Sequence, residues 1–369
     1  MKVSLVDLKI QYQAIKEEIS TAVMEVLDRG DFILGSSVSS FEEEFSKFCD
    51  SKYCIGVASG TDALFLSLKA LGIGGGDEVI APANTFIATV LAISYSGATP
   101  VLVDVDPETY NIDLKKLEEK ITSKTKAIIP VHLYGRPVDM DALGVITNKY
   151  NLNIVEDACQ AHGATWKNKK VGSFGDLGCF SFYPGKNLGA YGDGGAIVTS
   201  DEKLHQKLKL LRNYGSTKKY YHDIVGYNSR LDTMQAAILR VKLRYLKEWS
   251  SKRLANARLY NQKLKNIGDL VLPGIDKDNL SVFHLYVIRT KSRDELLQYL
   301  KENDVHCGIH YPVPIYSLDA YSSLGLKEED FPVTEELSKQ ILSLPMYAEL
   351  REEQINNVAN LIKKFYQGK

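Results

Sequence analysis

The chain has 369 residues, 44% of them hydrophobic and 25% charged, with 45 Lys and Arg against 46 Asp and Glu for a formal net charge of −1. That length suits two domains, and the balanced charge leaves no basic footprint for nucleic acid or an anionic membrane. No run of about 18 apolar residues would cross a bilayer, the opening MKVSLVDLKIQYQ has no apolar signal core, and the expected compartment is the cytoplasm.

Residues 9–28 read as a helix with Ile15, Ile19, Val23 and Leu27 on one face, stopped by Arg29-Gly30-Asp31. Ser39–Phe48 reads as a second helix, with Phe41, Phe45 and Phe48 as a packing stripe. Tyr53–Ala58 is the first predicted strand. Ser59-Gly60-Thr61-Asp62 follows it and opens a helix over Gly60–Leu71. Gly60 lets the backbone approach an anion and Thr61 offers both N–H and hydroxyl, although many α/β proteins cap helices this way. Glu78–Ala81 is the next strand, and Phe86 sits just past its C-terminal end, where ligands gather in open parallel sheets. Phe86 is either a platform for a flat ring or a core aromatic at a helix start.

Strands at Pro100–Asp104, Ala127–Val131 and Asn153–Asp157 alternate with helices at Leu114–Ile121 and Asp141–Tyr150. That alternation predicts an α/β fold with a mostly parallel sheet and helices on both faces. Gln160 and His162 lie just past a strand end, within reach of a ligand there; His162 reads equally as a loop histidine satisfied by backbone groups. Leu177–Tyr183 and Ala196–Thr199 read as buried strands. The loop between them holds one lysine, Lys186, among Pro184, Gly185, Gly189, Gly192, Gly194 and Gly195, a spacing that breaks any helix or strand.

Further on come a helix over Asp201–Arg212 and a Tyr-rich segment, Asn213–Tyr227. A single long helix is predicted from Thr233 to about Lys265, started at Asp232. So long a helix spans from one domain into the next and puts the boundary near Leu246, giving a large domain over 10–245 and a smaller α+β domain over 246–369. In the latter, strands are expected at Val282–Thr290 and Val305–His310 and helices at Asp294–Asn303, Thr334–Leu342 and Arg351–Phe365. His310-Tyr311-Pro-Val-Pro314 is stiffened by its prolines. The five cysteines form no CxxC pair and no zinc spacing, so packing thiols in a reducing compartment and no metal site are expected.

Three of these pieces form a chemical set: the loop lysine Lys186, the carboxylate of Asp157 closing a buried strand, and the Ser-Gly-Thr turn at a helix start. Pyridoxal 5′-phosphate (PLP) has need of all three. Its aldehyde needs a lysine amine, its ring nitrogen needs a carboxylate to stay protonated, and its phosphate needs N–H groups at a helix start. Lys186 and Asp157 are the catalytic candidates.

EDACQAHGA (156–164), SFYPGKNLGAYGDGGA (181–196) and GYNSRLD (226–232) together resemble the PLP-dependent nucleotide-sugar aminotransferases of the DegT/StrS type, over nearly the whole chain. The resemblance implies the fold type I, aspartate aminotransferase-like architecture, a homodimer, and active sites shared between subunits. It matches Lys186 to the family's Schiff-base lysine, Asp157 to the carboxylate under the pyridine nitrogen and Gln160 to the partner of the ring hydroxyl. Gly60, Thr61 and Ser181 match phosphate contacts, Phe86 the aromatic that stacks on the ring, and Asn228 an asparagine reaching the phosphate from the neighbouring subunit. Members acting on 4-keto sugars often carry a histidine before the lysine and Glu-Gly-Gly after it. Here Tyr183 and Gly192-Asp193-Gly194-Gly195 stand in those places, and with HYPVP they resemble the branch acting on dTDP-linked 3-keto-6-deoxy sugars.

The reaction this implies moves an amino group from L-glutamate to a dTDP-3-keto-6-deoxyhexose, giving a dTDP-3-amino-3,6-dideoxyhexose. Tyr183, Tyr221, His310 and Tyr311 are candidate contacts for the nucleotide sugar. The alternatives are a 4-keto-sugar aminotransferase of the same fold and a non-catalytic regulator built on it. The retained Lys186 and Asp157 stand against the regulator, and Lys186 also stands against the family's dehydratases, which replace that lysine by histidine.

Overall fold

The computed structural model of the chain describes residues 1–368. Helix α1 (Leu8–Ala14) starts at Asp7, whose carboxylate accepts from the N–H groups of Lys9 and Ile10. Ile15 then breaks the ladder, and α2 (Lys16–Arg29) runs on to Gly30 at φ +68°. The one helix expected over 9–28 is therefore two; Ile15 leaves helical geometry and buries its side chain in a cluster with Ile19, Ile238 and Trp249. In α3 (Ser36–Phe48), Phe41 and Phe45 are fully buried and meet the rings of Phe180 and Phe182 edge-on. The aromatic stripe is core, as its spacing predicts.

Strands β1 (Tyr53–Val57), β2 (Glu78–Pro82), β3 (Thr99–Val103), β4 (Thr125–Ile128) and β5 (Asn153–Asp157) alternate with α4 (Gly60–Ala70), α5 (Ile87–Ser96), the short α6 (Leu114–Leu117) and α7 (Met140–Tyr150). The small hairpin of β6 (Thr165–Trp166) and β7 (Lys169–Lys170) precedes β8 (Leu177–Ser181) and β9 (Gly195–Thr199). These build a seven-stranded sheet in the order β1-β9-β8-β5-β4-β2-β3. Its pairs are parallel except that β9 runs antiparallel to both neighbours. Alternate strand residues feed opposite faces. Ile55, Val79, Val155 and Ile197 join Leu64 and Leu68 of α4 in one cluster, whereas Cys54, Phe180 and Val198 join Phe41 of α3 in another. A sheet covered on both sides requires near-continuous apolar strands, which these are.

After α8 (Glu202–Leu211) and the hairpin β10 (Ser216–Lys218)–β11 (Tyr221–His222), the long helix expected from Thr233 is broken. It forms α9 (Thr233–Leu243) and α10 (Leu246–Leu264). The Tyr245 N–H turns back to Lys242 O, while the Tyr245 hydroxyl and the Arg244 guanidinium are both tied to Glu18 on α2. Downstream, β12 (Tyr286–Arg289) is only the second half of the strand expected over 282–290. Its first half is diverted: Val282 N–H donates to Gly135 O and its carbonyl accepts from the Asn187 side chain. α11 (Arg293–Glu302) follows. Residues 305–310 form no strand, only single bridges from Val305 to Val3 and from Gly308 to Ser343. α12 (Pro332–Gln340) stops where β13 (Ile341–Leu344) pairs antiparallel with β12, a strand the sequence reading missed. With α13 (Glu352–Gln367), α10 and α11 enclose that two-stranded sheet in one apolar cluster that includes Tyr260, Tyr286, Leu296 and Ile355. Among the described residues no helix is long and apolar enough to cross a membrane.

The end of β5 shows how the strand period serves the site. Glu156 and Asp157 are adjacent, so they face opposite ways. Glu156 is fully buried. Its Oε1 accepts from the N–H groups of Phe174 and Gly175, and its Oε2 from Gly172 N–H, with His132 Nε2 at 3.0 Å. His132 Nδ1 accepts from Val138 N–H, so Nε2 carries the hydrogen and the imidazole is a neutral donor. Glu156→Gln sets an NH2 group against these donors. An unsatisfied buried polar group costs about 1–3 kcal/mol, and a loss near the top of that range is expected in urea unfolding. An unchanged midpoint would refute this account of Glu156.

Candidate active site

A cavity of about 530 Å³ opens where β1, β2 and β5 end, and Lys186, Asp157, Gly60 and Thr61 all line it. Phe86, Gln160, Ser181, Tyr183, His310 and Tyr311 line the same cavity. Tyr221 and Asn228 do not; both are exposed, Tyr221 on the β10–β11 hairpin.

The Lys186 loop is a folded turn. Lys186 N–H donates to Tyr183 O at 2.8 Å, Phe182 N–H to Gly194 O and Ala190 N–H to Phe182 O. Gly189 is required by close approach, since a Cβ there would meet Pro184 O at 2.3 Å. The lysine itself is partly buried. Desolvation holds its amine below the usual lysine range, with Cys159 and Asp157 acting the other way. Asp157 is 6% exposed; its Oδ2 accepts from Thr89 Oγ1 at 2.8 Å and its Oδ1 from Cys159 N–H at 3.2 Å. Thr89 Oγ1 lies 2.8 Å from Thr85 Oγ1. A carboxylate only accepts, so Thr89 spends its hydrogen on Asp157 and Thr85 donates to Thr89.

At the opposite side α4 begins. Ser59 Oγ accepts from Asp62 N–H as N-cap, which leaves Gly60 and Thr61 at a helix start, where N–H groups lack intrahelical acceptors. A Cβ on Gly60 would lie 2.6 Å from Ser181 Cβ and 3.0 Å from Cys159 Sγ, so only glycine brings the turn this close to Ser181.

The remaining wall is aromatic and polar. Phe86 is 50% exposed, which excludes the core reading, and its ring centroid is 5.3 Å from that of Tyr311. Gln160 Oε1 accepts from Tyr134 N–H at 2.8 Å, and Nε2 donates to the Tyr311 hydroxyl at 3.1 Å. One amide hydrogen remains for a ligand. His310 Nδ1 sits 2.8 Å from Ser343 Oγ, and burial, with Lys186 nearby, pushes the imidazole down to about 4. His162 is not in the cavity. It is fully buried beside the Phe180 and Phe182 rings, and desolvation pushes it down to about 3.

Sequence reasoning missed Thr85, Thr89 and His284, all in the cavity wall. Two threonines four apart at a helix start, and a histidine inside the apolar run Ser281-Val-Phe-His-Leu-Tyr-Val287, were the available signals.

Residues 13–363 match the sequence profile of the DegT/DnrJ/EryC1/StrS aminotransferase family. Over 363 residues the chain is 48% identical to a dTDP-3-amino-3,6-dideoxy-alpha-D-galactopyranose transaminase of Aneurinibacillus thermoaerophilus, covering 98% of the chain and 99% of the relative. Over 366 residues it is 44% identical to a UDP-N-acetyl-3-dehydro-alpha-D-glucosamine 3-aminotransferase of Acidithiobacillus ferrooxidans, covering 99% and 98%. The crystal structure of S. venezuelae DesV in complex with a ketimine intermediate matches it with a TM-score of 0.97 at 44% identity, covering 99% of both chains.

Proposed function

Because the chain belongs to the DegT/DnrJ/EryC1/StrS aminotransferase family, we propose that it transfers an amino group from L-glutamate to the ketone of a dTDP-3-keto-6-deoxyhexose, giving a dTDP-3-amino-3,6-dideoxyhexose. It is a sugar aminotransferase, its cofactor is PLP, and its α/β architecture is that of its family. The observation that carries the finer reading is the placing of Lys186 and Asp157 in one cavity with the α4 start, behind the Tyr183 loop in place of the 4-keto pattern. The Aneurinibacillus relative's name, a 3-amino-3,6-dideoxyhexose transaminase, supports it.

The residues present fit PLP: a buried carboxylate with spare acceptor capacity, a partly desolvated amine and a glycine-only helix start share one cavity. When bound, PLP supplies an aldehyde and a protonated ring that withdraws electrons. Lys186 would hold it covalently and, once freed by the donor amine, take the proton from the donor's α-carbon. Asp157 would face the ring nitrogen, Phe86 the ring and Gln160 its hydroxyl. Gly60, Thr61 and Ser181 would hold the phosphate, joined by Asn228 of the neighbouring subunit in a homodimer with shared sites. Tyr183, His310 and Tyr311, with Tyr221 from the other copy, are the proposed sugar-nucleotide contacts. We place the division between a cofactor-binding domain (10–245) and a smaller domain (246–369) at the turn before Leu246.

The Acidithiobacillus relative's name favours one second reading, a UDP-linked 2-acetamido-3-keto sugar as acceptor. Product NMR after incubation with glutamate and dTDP-3-keto, dTDP-4-keto or UDP-linked 3-keto sugar decides among them; amination only of the 4-keto substrate would refute the assignment at the third carbon. Gly60→Ala tests the phosphate corner. A Cβ 2.6 Å from Ser181 Cβ forces the α4 start away from Ser181. A tenfold or greater weakening of PLP binding, at least about 1.4 kcal/mol, is expected in absorbance titration of the apoprotein. Wild-type affinity would remove Gly60 from the phosphate site.

A further inference from the structure

The segment Val282–Leu285 lies across the loop that carries Lys186. Asn187 Nδ2 donates to Val282 O at 3.0 Å, which leaves Oδ1 as the acceptor end of that amide. His284 Nδ1, 3.2 Å from Oδ1, must therefore carry its hydrogen and donate. His284 itself lines the cavity that holds Lys186. The segment is pinned from behind. Buried Arg253 on α10 donates from Nη1 to the carbonyls of Phe283, His284 and Met346 at 3.1, 3.3 and 3.1 Å, and Phe283 is held in the left-handed region at φ +43°. Arg253, Phe283, His284 and Asn187 thus form a continuous series of contacts that ends at the residue after the lysine.

We propose that His284 is a positioning residue for Lys186: as the Nδ1–H tautomer it fixes Asn187, and through Asn187 the backbone from which the lysine amine projects. This rests on reading Lys186 as the reactive amine. Around Lys186 stand Asp157 at the end of β5, Cys159 and His162 in the loop after it, His284 and His310, with Tyr183, Asp193 and Tyr311 lining the same cavity and Arg253 behind His284. Burial pushes all three histidines down and the Cys159 thiol up, and desolvation is likewise the largest cause that lowers Lys186. A latch that keeps water from the loop then acts on the amine chiefly through its desolvation.

The experiment uses apoprotein and three variants. Competitive acetylation with acetic anhydride across a pH series, read at the Lys186 peptide by mass spectrometry, gives the midpoint of the amine. Uptake of added PLP, followed by visible absorbance, gives a second readout. His284→Asn keeps an N–H donor at the place of Nδ1 and is expected to stay near wild type in both. His284→Gln puts its amide at the place of Nε2, and His284→Leu has none; both are expected to move the midpoint up towards an ordinary lysine and to slow PLP uptake about tenfold, the worth of one buried hydrogen bond. If the Leu variant does not fold, the Asn and Gln variants, polar and similar in volume, decide between them. Wild-type behaviour in the Gln variant with loss in the Asn variant would overturn the latch in favour of Nε2 acting in the cavity, and wild-type behaviour in all folded variants would overturn it outright. A wild-type protein that takes up no PLP would instead sink the reading of Lys186.

Discussion

Lys186→Ala is expected to lower turnover by about 10⁴-fold or more. A positioned general base alone contributes about 10²–10⁴, and the same amine would also hold the cofactor's aldehyde. Burial keeps the Lys186 amine below the usual lysine range, so more of it is free base near neutrality than an exposed lysine would offer. Lys186→Arg is the control that separates charge from basicity. A guanidinium keeps the positive charge but does not deprotonate in proteins, so it is expected to be as inactive as alanine. The measurement is steady-state product formation with glutamate and the keto sugar, together with the visible absorbance of the protein after PLP is added. If alanine retained wild-type rates, another base would have to be found, and no other amine lines this cavity among the described residues.

What the sequence reveals of this site is set by how local each signal is. Lys186 is legible because glycines and a proline punctuate its loop on both sides, and Asp157 because it closes an apolar strand run. Gly60 and Thr61 are legible because a strand, a small-residue turn and a helix follow one another within a few positions. The strand β13 is not legible: Ile341–Leu344 continues an apolar helical pattern, and what makes it a strand is pairing with Tyr286–Arg289, far away in the chain. The break between α9 and α10 is hidden for a related reason, since the side chains that mark it are tied to Glu18 near the other end of the sequence. His284 falls in the same class. Its place in the cavity follows from Val282 being captured by Gly135 and Asn187, contacts that no periodicity encodes. Phe86 is intermediate: position suggested the site, but only its exposure separates a platform from a core aromatic.

Asp157→Asn is expected to lower kcat by about 10³-fold while the protein stays folded. The two carboxylates at the end of β5 show why this one is available for chemistry. Glu156 has four donors around its two oxygens and nothing left to offer. Asp157 has two, Thr89 Oγ1 and Cys159 N–H, one on each oxygen, and a carboxylate has about four lone-pair sites. Its spare capacity faces the cavity that also holds Lys186. A unit charge acting on an opposite charge about 4 Å away at an effective dielectric near 20 contributes about 4 kcal/mol, or about three powers of ten in rate. The amide is isosteric: its oxygen can accept from Cys159 N–H while its NH2 donates to Thr89 Oγ1, whose hydroxyl turns to donate to Thr85, so the substitution removes the charge and leaves the frame. Because the charge matters most where electrons flow towards the ring, the loss should fall on kcat rather than KM. Thr89→Val, which keeps the charge and loses one hydrogen bond to it, should cost about tenfold, in line with about 1.5 kcal/mol for a hydrogen bond to a charged group. An Asp157→Asn enzyme within tenfold of wild type would mean that the ring nitrogen is served by some other group, and the assignment of Asp157 would fall with it.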